Sequence, residues 1–73
     1  MKKTLIKSDV AGIVAEICFN KRDFVKEGEN LIFIESMKME IPVEAPQAGT
    51  VKALNVGEGD AVDEGQIILV LED

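Results

Sequence analysis

With 73 residues the chain has room for one domain with a thin core. Its net charge of −6, with acids spread throughout, disfavours nucleic acid and anionic membranes, which need clustered cations. Without histidine there is no Ser-His-Asp or Cys-His nucleophile and no histidine metal site, and one cysteine allows no internal disulfide.

The opening "MKKTLIKSDVAG" starts like an export signal, but Lys7 and Asp9 interrupt its apolar stretch, so no export is expected. No apolar run approaches the ~20 residues that span a bilayer. These features predict a complete, free-standing, cytoplasmic and monomeric protein. A short run then leads to Ala11-Gly12, followed by the β-rich "IVAEICF", a charged turn, a short piece at Val25, Glu-Gly, and the apolar "LIFIE". Cys18, inside the second run, is expected to be a small buried hydrophobe. After residues 37–42 the same punctuation returns: Ala48-Gly49, "TVKALNV", a charged turn, Val62, Glu-Gly and "IILVLE".

This recurrence is a duplication. Residues 6–36 lie over residues 43–73 without a gap at a shift of 37, and eight of the 31 positions are identical. Among the identities are Gly12/Gly49, Val14/Val51, Asp23/Asp60, Val25/Val62 and Gly28/Gly65. Runs of four to seven residues between frequent turn signals read as strands, and neither half keeps a helical period. The expectation is all-β: a flattened eight-stranded barrel or sandwich, four strands per half, with pseudo-twofold symmetry. Residues 1–73 form one domain on this reading.

The repeat also places the junction. Under the shift Lys38 maps onto position 1, so the junction is the symmetry mate of the site where the two chain ends meet. Lys38 should therefore lie at the end of the domain opposite the termini. "NLIFIE" and "EIPVE" suggest a hairpin with Met37-Lys38 at its tip, and Pro42 suits an edge strand or a strand end. Two-residue hairpin turns want φ > 0, which Gly, Asn or Asp supply cheaply. Met and Lys there imply strain of about 1–3 kcal/mol. Other turns of this chain use glycine freely ("KEGEN", "NVGEGD", "DEGQ"), and this one does not. Departure from local preference marks a candidate functional site. The plainer alternative is a solvated lysine with loosely packed methionines. "NVGEGD" lacks the Gly-Lys-Ser/Thr of a phosphate loop, "DAVDEG" lacks EF-hand spacing, and acid pairs such as Asp63/Glu64 show no sign of a catalytic cleft.

"ESMKME" (35–40), "APQAGTV" (45–51) and "VGEGDAVDEGQIILVLE" (56–72) together resemble the biotinyl/lipoyl domain family, nearest in kind to its small stand-alone attachment proteins. The resemblance covers nearly the whole chain. It departs from the family at Ser36, where Ala is common, and in having no room for the extra loop of some biotin carboxyl carriers. It implies the flattened barrel and makes Lys38 the covalent attachment point for biotin. By the same likeness a biotin protein ligase supplies biotinyl-AMP, and biotin shuttles CO2 between a biotin carboxylase and a carboxyltransferase. The carrier itself is then no enzyme, and no metal is expected. Met37 and Met39 would give adaptable surface for several partners, and Glu35 and Glu40 would aid recognition or hold the hairpin. An ordinary lysine amine is protonated at neutral pH and attacks only when a partner enzyme deprotonates it. The first rival is lipoate, added to the same lysine by a lipoate ligase; the second is an unmodified protein-binding adaptor. Lipoyl domains read Asp-Lys-Ala at the tip, so Met37 and Met39 favour biotin. Exchanging Met37 with Lys38 is expected to abolish modification.

Overall fold

The computed structural model describes residues 2–73 and contains eight strands. They are β1 (Lys3–Lys7), β2 (Gly12–Ile17), β3 (Phe24–Val25), β4 (Asn30–Ser36), β5 (Met39–Glu44), β6 (Gly49–Leu54), β7 (Ala61–Val62) and β8 (Ile67–Glu72). They form two antiparallel four-stranded sheets, ordered β1-β8-β6-β3 and β5-β4-β2-β7. Among the described residues no helix is long and apolar enough to cross a membrane.

Shifting each first-half strand by 37 residues turns one sheet order into the other: β1 becomes β5, β2 becomes β6, β3 becomes β7 and β4 becomes β8. Both sheets therefore mix strands from the two halves. Neither half can close its core alone. The inner faces meet over Val14, Val25, Leu31, Ile32 and Ile34 from the first half and Val51, Val62, Ile68, Leu69 and Leu71 from the second, all at most 3% exposed. Burying a side chain of this size contributes about 1.5–3 kcal/mol.

The symmetry extends to hydrogen bonds. Gly28 N donates to Ala45 O at 2.8 Å, and its mate Gly65 N donates to Ser8 O at 2.7 Å. The tight turns repeat as well: Asn20 N donates to the Asp23 carboxylate at 2.8 Å, and Gly57 N to that of Asp60 at 2.7 Å. Two bulges are also duplicated. One leaves Ala15 and its mate Lys52 without a register partner, the other Leu31 and its mate Ile68.

The first bulge corrects one expectation. Cys18 is exposed. Simple alternation from buried Val14 would turn residue 18 inward, but the extra residue at Ala15 reverses the phase. Ile17 and Phe19 consequently pack against the core, with Cys18 outward between them. Partial burial, and then the Glu16 carboxylate, hold the Cys18 thiol above its ordinary pKa. It is a weak nucleophile in this state.

Candidate functional site

β4 and β5 form a hairpin whose last pair is Ser36 opposite Met39, leaving Met37 and Lys38 as a two-residue loop. Both have left-handed backbone, with φ of +53° and +66°. This is the pattern of a type I′ turn, whose hand matches the strand twist. The expected strain is present: two side chains with Cβ atoms occupy positions that glycine or asparagine fill cheaply.

The flanks do not repay that cost by packing. Met37 is 92% exposed and Met39 64% exposed. Large apolar side chains this open give no core stability, so their presence calls for another explanation than folding. Lys38 is exposed as well. The single ion pair among the described residues is Lys52–Glu72, at 4.0 Å, so no carboxylate claims the Lys38 amine. A primary amine held in water on a rigid two-strand stalk can be acylated by any enzyme able to grip the tip.

Glu35 and Glu40 face each other directly, one pair below the turn, and both are exposed. Like charges in that position cost a few tenths of a kcal/mol and work against the hairpin. Sequence reading did not single out Ile13 as a neighbour of the site. It pairs with Glu35 from β2 and is 42% exposed, so the outer face below the tip offers a large aliphatic side chain beside two acids. Pro42 lies on β5, which is an edge strand, where its missing N–H breaks no internal ladder.

Gly12 braces the hairpin from below. A Cβ at this residue would lie 2.8 Å from Ile34 Cγ2 and closer still to the Glu35 carbonyl oxygen, so only glycine lets β2 approach β4 this tightly.

The chain termini form the symmetry mate of the site. Asp73 N donates to Lys2 O at 3.1 Å, and Lys2 N to the Asp73 carboxylate at 2.8 Å, where the other half has Ser36 and Met39. From that pair the chain runs along β1, crosses between sheets through residues 8–11, and joins β2 beside Glu35. The molecule measures 36 × 18 × 17 Å, and this path along its length separates the lysine turn from the termini.

The turn's chemistry tests one replacement. Met37→Asn with Lys38→Gly should stabilise the fold by about 1–2 kcal/mol, since both residues suit φ > 0. The melting temperature should rise by about 5–10 °C, while the protein loses its only tip amine. Differential scanning calorimetry checks this; an unchanged or lower melting temperature would show that the turn carries no strain.

The Biotin_lipoyl family, described as biotin-requiring enzyme, matches residues 8–71. The Biotinylated protein TB7.3 homolog of Mycobacterium leprae is 36% identical over 66 residues, covering 90% of this chain and 93% of that protein. The Biotin/lipoyl attachment protein of Bacillus subtilis is also 36% identical over 66 residues, covering 90% of each chain. Among solved structures, the urea carboxylase of Kluyveromyces lactis superimposes with a TM-score of 0.91 at 29% identity, over 99% of this chain but 6% of that much longer one. The match spans both repeats and the turn between them: this chain belongs to the biotin/lipoyl attachment domain family.

Proposed function

We propose that the protein is a non-catalytic biotin carrier, modified at Lys38 and serving a biotin-dependent carboxylase. The observation that carries this reading is the strained turn: Met37 and Lys38 both sit at positive φ, with Met37 and Met39 open to solvent. Strain with no packing return is what a recognition site looks like when several enzymes must grip the same few atoms.

The residues fit the group. Lys38 Nζ, deprotonated by a biotin protein ligase, forms an amide bond with the carboxyl carbon of biotin while AMP leaves the activated acid. Met37 and Met39 offer unbranched, polarizable side chains that repack against different partners. Glu35 and Glu40 place two carboxylates one pair behind the amine, a fixed mark for cationic residues on those partners. The β4–β5 stalk fixes the root of the arm, and the lysine stem adds its mobile inner part. When bound, biotin supplies a ureido nitrogen that carries CO2 between a biotin carboxylase and a carboxyltransferase. Tethering maintains effective concentrations on the order of mM at each site.

Lipoate at the same lysine is the second reading, supported by a relative named for both groups. Intact mass after incubation with biotin protein ligase, ATP and biotin, and separately with lipoate ligase, ATP and lipoate, distinguishes the two. The expected result is one biotin on Lys38 and no lipoyl adduct. A lipoyl adduct alone would replace the first reading with the second. An unchanged mass in both reactions would leave an unmodified adaptor.

A further inference from the structure

The repeat keeps Gly12/Gly49 and Gly28/Gly65, its core and three acidic positions (Asp23/Asp60, Glu27/Glu64 and Glu35/Glu72), but several bases of the first half lie over acids of the second. Lys3, Lys7, Lys21 and Lys26 have Glu40, Glu44, Glu58 and Asp63 as their mates at the 37-residue shift, and no position in the repeat carries the opposite swap, an acid in the first half over a base in the second. Lys3 and Lys7 lie on β1, so these cations gather on the β1-β8-β6-β3 sheet, and their acidic mates Glu40 and Glu44 on the other. Lys52, exposed at its bulge on β6, adds to the basic sheet, while its mate Ala15 is neutral.

The outer face of this basic sheet is also apolar. Phe24 on β3 is 61% exposed and Leu5 on β1 is 52% exposed. Phe24 begins a register row that runs through Thr50 and Glu72 to Lys3. Its mate on the acidic sheet is Ala61, which pairs with Ile13. An exposed aromatic on a sheet that also carries Lys3, Lys7 and Lys52 is therefore a feature of one sheet alone.

Arg22 is the third observation. It has φ of +82° without being glycine, and its mate Gly59 has φ of +91°. The two make equivalent backbone bonds, Arg22 N to Val51 O and Gly59 N to Val14 O, each 2.8 Å. The turn is thus content with glycine, and the arginine is held there against local preference. Arg22, Lys21 and Lys52 line one concavity with Thr50 and Glu72.

We propose that the outer face of the β1-β8-β6-β3 sheet is a second docking surface, which receives an acidic protein surface through Phe24, Leu5 and the cations Lys7, Lys21, Arg22 and Lys52, the last of them shared with Glu72 at 4.0 Å. Charge complementarity selects that occupant. A long polyanion would extend past a molecule of 36 × 18 × 17 Å onto its acidic side. A compact acidic patch with an apolar centre meets the cations and the phenyl ring together. This face is not part of the lysine hairpin, so a partner held there leaves Lys38 free to reach its active site. The inference rests on the carrier reading, because the partner is one of the enzymes that process the modified lysine.

The test measures the biotinylated protein as substrate of the biotin carboxylase and of the carboxyltransferase from its own cells, each component separately. Three variants are compared with the unaltered carrier: Lys7→Glu with Lys52→Glu, Phe24→Ser, and Arg22→Gly. For one component the KM for the carrier should rise about tenfold in the charge-reversed variant with kcat held, and its salt dependence should flatten. Arg22→Gly should raise the same KM while keeping or raising the melting temperature, which a purely structural arginine would not do. KM values within twofold of the unaltered carrier for both components overturn the proposal. So does binding of the face to anionic vesicles or poly(U) RNA at 0.1 M salt with carrier kinetics unchanged. If the unaltered carrier is a substrate of neither component, the carrier reading falls and takes this inference with it.

Discussion

Lys38→Arg should abolish attachment of biotin while leaving the fold intact. The arginine keeps the positive charge and a long stem on an exposed turn, so stability should stay within about 0.5 kcal/mol. Its guanidinium remains protonated under the conditions in which a ligase deprotonates lysine, so no nucleophilic nitrogen is offered. Six other lysines remain: Lys2, Lys3, Lys7, Lys21, Lys26 and Lys52. None lies in a hairpin turn with two positive-φ residues, because the third positive-φ non-glycine is Arg22. Incubation with ligase, ATP and biotin should therefore give no mass increase in this variant. Exchanging Met37 with Lys38 sharpens the point, since it preserves composition and moves the amine by one position. The two loop residues leave a type I′ turn in different directions, so the exchanged protein should be labelled at least about a hundredfold more slowly. Equal labelling would mean that the ligase reads an accessible lysine and ignores the turn.

The second large effect is expected at Gly12, with Gly49 as its internal control. The repeat aligns these glycines and the fold gives both a close approach to a neighbouring strand, but the distances differ. A Cβ at Gly49 would be 3.1 Å from Glu72 O, a contact that a small shift can absorb. At Gly12 it would collide with the Glu35 carbonyl and lie 2.8 Å from a branch of Ile34, which is fully buried. Neither neighbour can retreat that far, since the overlap is much larger than at Gly49 and falls on both paired backbone and fully buried core. Gly12→Ala should cost at least about 3 kcal/mol and lower the melting temperature by about 12–24 °C. Gly49→Ala should be near neutral, because the lost chain entropy of glycine offsets the tighter contact by about 0.4–1 kcal/mol. Thermal unfolding of both variants checks the difference. Equal losses would contradict the close approach that braces the hairpin below Lys38. Because the collision falls on Glu35, Gly12→Ala should also slow labelling at temperatures where the variant is still folded.

Much of the architecture was legible because the turns are spelled alike in both halves. Gly28 and Gly65 mark the same left-handed turn position, at φ of +87° and +85°. Val25 and Val62 supply one buried residue to each two-residue strand, a pattern too short to read as a strand by periodicity alone. Alignment of the repeats made it readable. The position of the lysine turn was legible from its lack of glycine. The bulges were not. Ala15, Lys52, Leu31 and Ile68 share no residue chemistry that announces an extra residue in a ladder, and the one at Ala15 turns outward a cysteine whose residue type suggested burial. The role of Ile13 was hidden for a similar reason, since its closeness to Glu35 depends on register between β2 and β4. Arg22 did carry a signal in the sequence, namely its alignment with Gly59. A large residue over a glycine in a duplicated turn marks a place where the two halves have diverged in use.

The central claim is that the amine of Lys38 carries biotin. It is tested most directly by the intact mass of the protein isolated from its own biotin-replete cells, followed by fragmentation of the peptide containing residues 35–40. The account predicts a single biotinyl group, on Lys38. A bare lysine in the whole population, or biotin on any other residue, would contradict it.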